Sequence, residues 1–245
     1  MLEGLYSAAA GMSAQQEQLS AIGNDLANLS TSGYQSERVA FSDLLYNPVE
    51  LAGTSTSVGA GASARVIGAS QAQGAIKQTG NPLDVAIEGA GYMQVTLPGG
   101  TVALTRNGAL GLNAARTLTT AEGDRLAPPI TIPAGIPVSA IAIGRDGTVT
   151  AEGKTLGQIK LVTVPSPQHL LAAGNGMLSI TAASGAARAA GAAQLHQGAL
   201  EESNVDVARE MALMVTTERS FQMTSSAIQT EGQMMTIANE LRPAS

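Results

Sequence analysis

Two apolar stripes at helical spacing, one at each end of the chain, constrain the fold more than anything between them. From Leu5 the apolar side chains fall at Leu5, Ala8, Met12, Leu19, Ile22, Leu26 and Leu29, and Gln15 fills the one gap. The steps alternate between three and four residues, which is the seven-residue period of a coiled-coil seam. A second stripe closes the chain at Val207, Met211, Met214, Phe221, Ile228 and Met235. A helix cannot cover its own stripe, so each needs a partner.

The first helix is expected from about Glu3 to Leu29, with a stop at Ser30-Thr31-Ser32-Gly33. Gly11 and Gly23 lie inside it, and each weakens a helix by about 1 kcal/mol relative to Ala. Such a helix is ordered when packed and frayed alone. The last helix is expected to take Ser203 or Asn204 as its N-cap, with Asp206 and Glu210 near its positive end. It should run to about Leu241, where Arg242-Pro243 ends it. Its seam is interrupted by Glu218, Ser225 and Gly232, and Ala227, Met234, Ala238 and Leu241 form a stripe one residue earlier. A straight helix drifts against a seven-residue repeat, so this one is expected to face two different neighbours.

Between the helices the periodicity changes. Val39, Phe41, Leu44, Leu45 and Tyr46 form an apolar cluster suited to a short helix or strand, ended by Pro48. Gly53 to Ala64 is a Gly/Ser/Thr/Ala tract that reads as a flexible or extended loop. From Leu83 to about Ile180, short alternating or apolar runs are separated by turn signals: Pro98-Gly99-Gly100, Asn107-Gly108, Glu122-Gly123-Asp124, Asp146-Gly147 and Glu152-Gly153. Residues 182–194 are Ala- and Gly-rich and suit a return connection, and Leu195 to Leu200 suits a strand. The expected fold is α+β. The N- and C-terminal helices (1–30 and 203–245) pair as an assembly coiled coil, 31–82 and 183–202 connect, and 83–182 form a central all-β domain.

The rest of the composition excludes more than it specifies. The net charge is -6, from 19 acidic and 13 basic residues, and no Lys/Arg run occurs. That argues against nucleic acid, whose binding needs phosphate-neutralising cations. It also argues against an anionic membrane surface. Without cysteine there are no disulfides, thiolate metal sites or Cys nucleophiles. No apolar run is long enough to span a bilayer, so direct membrane insertion is not expected. The first residues lack a basic segment followed by an apolar run, so no cleaved signal peptide is expected.

No catalytic, cofactor or metal site is expected either. His169 and His196 lack the close spacing of paired metal ligands. No G-x-S-x-G elbow occurs. Gly89-Ala90-Gly91 sits between strands and reads as a tight turn. Glu201-Glu202 and Asp206/Glu210 read as helix-start charges, not as a general acid/base pair. Met211, Met214, Met223, Met234 and Met235 crowd the last helix, and packing between subunits is the favoured use.

Short motifs stand at both ends and in the middle of the chain. At the N-terminus these are Ala10-Gly11-Met12, Asn24-Asp25-Leu26-Ala27-Asn28, Thr31-x-Gly33-Tyr34 and Phe41. In the middle they are Leu83-Asp84-Val85-Ala86-Ile87-x-Gly89-x-Gly91-Tyr92, Thr105-Arg106-Asn107-Gly108 and Ile143-x-x-Asp146-Gly147. Near the C-terminus they are Gly198-Ala199-Leu200-Glu201-x-Ser203-Asn204-Val205-Asp206, Arg219-Ser220-Phe221 and Ile228-Gln229-Thr230. Together, in this order, they resemble the flagellar rod, hook and hook-associated protein family. Asp25 departs from the family's usual second Asn. The motif residues carried over are Asn24, Leu26, Ala27, Asn28, Gly33, Ser203, Asn204 and Val205.

The resemblance implies a subunit that crosses the inner membrane unfolded, through the flagellar type III export apparatus, without a cleaved signal. Phe41 and Leu45 fit the F-x-x-x-apolar pattern that such export gates read, and a plain core cluster remains the alternative. It implies terminal helices that pair into an inner tube, with the β-domain outside. Its partners would be copies of itself in a helical homopolymer and other flagellar rod and hook proteins. The product would be a hollow, periplasm-spanning drive shaft that also conducts exported proteins. Length and the 199–206 stretch resemble the distal rod members most. The Thr79-Gly80-x-Pro82-Leu83-Asp84-Val85 stretch is shared with proximal ones. A secreted β-domain adhesin with helical ends is the reading from another class.

Overall fold

The computed structural model describes residues 2–51 and 54–240. The chain divides into two compact units: a helical unit of Met1–Leu26, Glu37–Ile67 and Asp206–Ser245, and a β-unit of Ala27–Ser36 and Gly68–Val205. Helices at the ends and a strand-rich middle make the fold α+β.

The helical unit holds all but the last residue of α1 (Leu2–Ala27), strands β1 (Glu37–Asp43), β2 (Tyr46–Leu51) and β3 (Thr54–Gly59), all but the last two residues of β4 (Ala62–Ala69), and the helix α2 (Val207–Glu240). β1 pairs with β4, and β2 pairs antiparallel with β3 from Tyr46↔Gly59 to Leu51↔Thr54. Two expectations are corrected here. The tract expected to be a loop forms β3 and the start of β4, while Gly53 lies outside the described residues. Alternating Thr and Ser with Val58 suits a strand once a partner is present, because branched side chains favour extended backbone. Pro48 does not end the apolar cluster but lies within β2, opposite Ser57. A two-stranded ribbon leaves one edge of each strand without ladder bonds, and an edge tolerates proline. The ambiguous 37–43 segment is the strand β1. Gly61, at φ 101, lies against α1, where an added Cβ would come 2.8 Å from the Ser7 carbonyl oxygen.

The start of α2 also differs from expectation. Asp206 is its cap: Oδ1 accepts the Ala208 and Arg209 N–H groups at 3.0 and 3.2 Å. An aspartate there both satisfies free helix N–H groups and places negative charge at the positive end of the helix. The expected end near Leu241 lies outside the described residues, as does the Arg242-Pro243 stop.

In the β-unit the strands are short because turn residues recur. They are β5 (Ile76–Gln78), β6 (Val85–Glu88), β7 (Tyr92–Thr96), β8 (Val102–Thr105), β9 (Leu110–Leu112), β10 (Leu118–Thr120) and β11 (Arg125–Leu126). Then follow β12 (Ile141–Ile143), β13 (Thr148–Ala151), β14 (Lys154–Gln158), β15 (Leu161–Thr163), β16 (Leu171–Gly174) and β17 (Met177–Ser179). β18 (Arg188–Ala189), β19 (Gln194–Gln197) and β20 (Ala199–Glu201) complete the unit. The largest sheet has the order β16-β17-β8-β7-β11-β10-β9, and β15 bridges β7 and β18. The expected hairpin is β7–β8, paired from Met93↔Thr105 to Thr96↔Val102. β12, β13 and β14 form a meander, and the β13–β14 turn has Glu152 and Gly153 both at positive φ. Such paired positive φ values match a two-residue hairpin turn to the twist of its strands. Two smaller ladders are β6–β19 and β5–β20.

Strand alternation sorts the core. Met93 and Val95 on β7 and Ala103 on β8 join one cluster with Val85, Ile87, Leu118, Leu126, Ile130, Ile132, Val149 and Leu195. Tyr92 and Leu104, one residue out of phase, join a second cluster with Val162, Val164 and Leu170. Successive side chains point to opposite faces, so the β7–β8 hairpin is covered on both.

Candidate assembly surfaces

The expected α1 seam is only half covered within one chain. Ile22 is buried at 4% exposure, whereas Leu5, Met12, Leu19 and Leu26 are half-buried and Leu29 is exposed beyond the helix end. Three of the four buried α1 positions run one residue ahead of the stripe: Ala14, Ala21 and Asp25 precede Gln15, Ile22 and Leu26. One residue is a rotation of about 100° on a helix. Small side chains let α1 pack closely within its own chain, and the larger apolar ones are left on its flank. Gln15, in the gap of the stripe, keeps a buried Oε1 with no hydrogen-bond donor among the described residues.

α2 carries two apolar faces. Met214, Phe221, Ile228 and Met235 recur every seven residues and are half-buried. They interleave with Glu210, Thr217, Thr224 and Glu231, so the inward face is half polar. Val207 and Met211, the first seam positions, are exposed. On the opposite side Val215, Met223, Met234 and Ile237 are exposed, Met223 at 67%. Of the second stripe, Ala227 and Met234 are exposed, and Leu241 lies outside the described residues.

The two helices run antiparallel. A Cβ on Gly4 would come 3.1 Å from Glu231 Oε1. At the other end Asp25 is close enough for its charge to act on Glu210. Asp25 is 2% exposed, and its Oδ1 accepts the Glu37 N–H at 3.0 Å. Asn24 Nδ2 donates to Glu37 Oε1 at 2.9 Å. The motif residues Asn24 and Asp25 therefore tie the end of α1 to the start of β1. Burial raises the carboxyl pKa values of both Glu37 and Glu210, and the Asp25 charge adds to each; the Asn24 bond pulls Glu37 the other way. Arg209 partly offsets the rise at Glu210.

Within the β-unit the motif residues converge on a buried ion pair. Arg106 and Glu201, with side chains 4% and 3% exposed, meet at 2.9 Å, and Arg106 Nε donates to Glu201 Oε2 at 3.0 Å. Arg106 Nη1 also donates to the Gly91 carbonyl at 3.0 Å, and its guanidinium carbon lies 5.8 Å from the centre of the Tyr92 ring. Glu201 in turn accepts the Gly74 N–H on Oε1, and its carbonyl accepts the Gly33 N–H at 2.8 Å. Gly33 has φ 70, and a Cβ there would come 2.5 Å from the Arg106 carbonyl carbon, so the motif needs glycine.

Asn204 Oδ1 accepts the Ser36 N–H at 2.7 Å, and Nδ2 donates to the Ala72 carbonyl at 2.7 Å. Ser203 Oγ accepts the Val205 N–H at 3.4 Å, and Val205 is buried. Asn28 accepts both the N–H and the hydroxyl of Thr31, which forms the turn after α1. Ala27, the last α1 residue, is exposed.

Sequence reasoning missed the ion pair. Glu201 is not a helix-start charge: it is the buried partner of Arg106, while Glu202 is exposed and pairs with Lys77 at 3.2 Å. No local pattern links residues so far apart, although both stood inside motif stretches.

Other expected features are placed as follows. Leu45 is 88% exposed and Phe41 half exposed, so the candidate export pair lies on the surface of the chain and not in a core. His196 pairs with Glu88, and the His169 carbonyl accepts the Thr181 hydroxyl. Among the described residues no group of His, Asp and Glu is arranged to hold a metal ion. Among the same residues no helix is long and apolar enough to cross a membrane.

Three family models match in order: "Flagella basal body rod protein" over residues 5–35, "Flagellar hook protein FlgE/F/G D1 domain" over 86–151, and "Flagellar basal body rod FlgEFG protein C-terminal" over 196–241. The chain is similar to the flagellar basal-body rod protein FlgG of Borreliella burgdorferi, 35% identical across 99% of both chains. It is also similar to FlgG of Caulobacter vibrioides, 36% identical across 98% of this chain and 100% of that one. The flagellar hook-basal body complex protein FlhP of Bacillus subtilis is 29% identical across 99% of this chain and 100% of its own. The chain belongs to the flagellar basal-body rod proteins.

Proposed function

We propose that this structural subunit polymerises through its terminal helices into the distal segment of the rod. The polymer is a hollow helical shaft that spans the periplasm, transmits torque and conducts exported proteins. Its parts are the terminal segments 1–30 and 203–245, which form the polymer contacts, and the segments 31–82 and 183–202, which connect them to the β-rich residues 83–182. The partners are copies of the same chain, the neighbouring rod and hook proteins, and the flagellar type III export apparatus, which reads Phe41 and Leu45 while the chain is unfolded. The similarity to FlgG proteins over the full length supports the distal position.

One observation carries this reading. Within a single chain both helices leave large apolar side chains open: Leu5, Met12, Leu19 and Leu26 half-covered, and Met211, Val215, Met223, Met234 and Ile237 exposed. Burying such a side chain contributes about 1.5–3 kcal/mol. Repeating one head-to-tail contact with a screw rotation gives an open helical polymer. The split faces of α2 supply more than one neighbour per subunit, as resistance to torque requires. Electron microscopy of the purified chain at high concentration tests it. Tubes or fibres are expected, and a stable monomer at every concentration contradicts the reading.

A further inference from the structure

The eleven residues 194–204 are stitched into the β-unit at every step. β19 pairs with β6 from Gln194↔Glu88 to Gln197↔Val85, and β6 has no other strand in its ladder among the described residues. Three of the four β6 residues, Val85, Ala86 and Ile87, are at 0% exposure. The Gln197 side chain donates to the Pro82 and Ile141 carbonyls and accepts the Ile143 N–H, which joins β6 to the β12 meander. The Gly198 carbonyl accepts the N–H groups of Thr79 and Gly80. Glu201 neutralises Arg106 and holds Gly33 and Gly74, and Asn204 holds Ser36 and Ala72. A break at Gly198, φ 74, lets one strap serve two ladders, β6–β19 and β5–β20.

Without this strap the residues before it are only partly satisfied. β6 keeps the Val85 N–H bond to the Gly108 carbonyl and the Gln73 bond to the Ile87 carbonyl but loses its only ladder among the described residues, and burying the backbone groups so freed is strongly disfavoured. Arg106 would keep its charge in a buried site with carbonyl oxygens and a tyrosine face as its neighbours. Burying an uncompensated guanidinium is more costly than leaving the site open to water.

We infer that residues 194–204 are a closing latch: the β-unit stays open until this strap seats, and the Arg106–Glu201 pair is its catch. A chain is made from its N-terminus. Residues 27–36 and 68–193 of the β-unit therefore lack this cover until residues 194–204 have been made. The latch stands independently of polymerisation. Its use, keeping the chain open for delivery through a narrow conduit, rests on the export reading.

Pulse-labelled hydrogen exchange during refolding of the full chain tests the latch. The amides of β6, β7 and β8 should gain protection in the same kinetic phase as those of 195–201. Protection of β6, β7 and β8 at least about tenfold faster than 195–201 would overturn it. A native-state measurement adds a second check. Glu201→Gln keeps the shape and removes the charge. It should speed exchange at β6, Gly33 and Gly74 together, by about a hundredfold. Faster exchange confined to 199–202 would mean a local stitch and no latch. The refolding measurement uses the unaltered chain, so it decides the matter even where the variant does not fold. Neither readout involves filament formation.

Discussion

The two units of this chain solve the same problem in opposite ways. Among the described residues, the helical unit fully buries three apolar side chains, Ala14, Ala21 and Ile22. Every other fully buried apolar residue lies in the β-unit. Charge divides as sharply. Of the 19 acidic and 13 basic residues, eleven and five fall in the helical unit and eight and eight in the β-unit. The whole net charge of -6 thus sits on the unit with the smaller core. The β-unit is balanced and self-contained. The helical unit leaves its large apolar side chains open and carries the excess of like charge. That arrangement suits the proposed polymer contacts, in which neighbouring subunits would cover those side chains.

Mutations should separate the units. Ile87→Ala removes a fully buried side chain of β6 and should destabilise the β-unit by about 2–5 kcal/mol, read by urea unfolding. Met223→Asp should leave the isolated chain within about 0.5 kcal/mol of wild type, because the side chain faces solvent. In the polymer the same change should cost about 1.5–3 kcal/mol per subunit contact, read as a raised critical concentration and lost swarming. A Met223→Asp chain that unfolds alone, or that polymerises normally, would blur the contrast between the units.

Acid should act on the units with opposite sign. Glu37 and Glu210 have folded pKa values raised above the ordinary 4.5, chiefly by burial. Their charged forms oppose folding at neutral pH. That opposition is lifted as the pH falls through the raised values and is gone below about 4.5. The helical unit should therefore gain stability on mild acidification, measured by helical circular dichroism against temperature. In the β-unit, bonds from Thr148 lower the pKa of Asp146 below 3.8. Its contribution is present above the ordinary value and is lost as the pH falls through the lowered one. Asp25→Asn keeps an acceptor for the Glu37 N–H and removes the charge beside both glutamates, so it should flatten the rise of the helical unit. The smallest effect expected is from Gly11→Ala or Gly23→Ala. Neither position has a neighbour within 4 Å of an added Cβ, so each should stabilise α1 in the monomer by up to about 1 kcal/mol.

Much of this contrast was legible in the sequence. The terminal helices, the β7–β8 hairpin and the Asp146-Gly147 turn are local patterns, and local patterns survive folding. The face that α1 turns inward was not legible, because the small Ala14 and Ala21 and the charged Asp25 lie one residue off the stripe of larger apolar side chains. They are buried because small side chains allow close approach. β3 was misread for a related reason: its Ser and Thr become a strand when Tyr46–Leu51 offers a ladder. Asp206 took the cap because Asn204 is held by Ser36, Ser70 and Ala72, partners distant in sequence. The Arg106–Glu201 pair joins the residue after β8 to the end of β20, far apart in sequence, and could not be seen from either alone.

Native-state hydrogen exchange of the dilute monomer and of the assembled polymer tests the central claim most directly. In the monomer, the amides of α1 and α2 should exchange far faster than those of β6, β7 and β8. In the polymer, the helices should become as protected as the strands while the β-unit changes little. Helices already protected to the level of the β-unit in a dilute monomer, with no gain on assembly, would contradict the account.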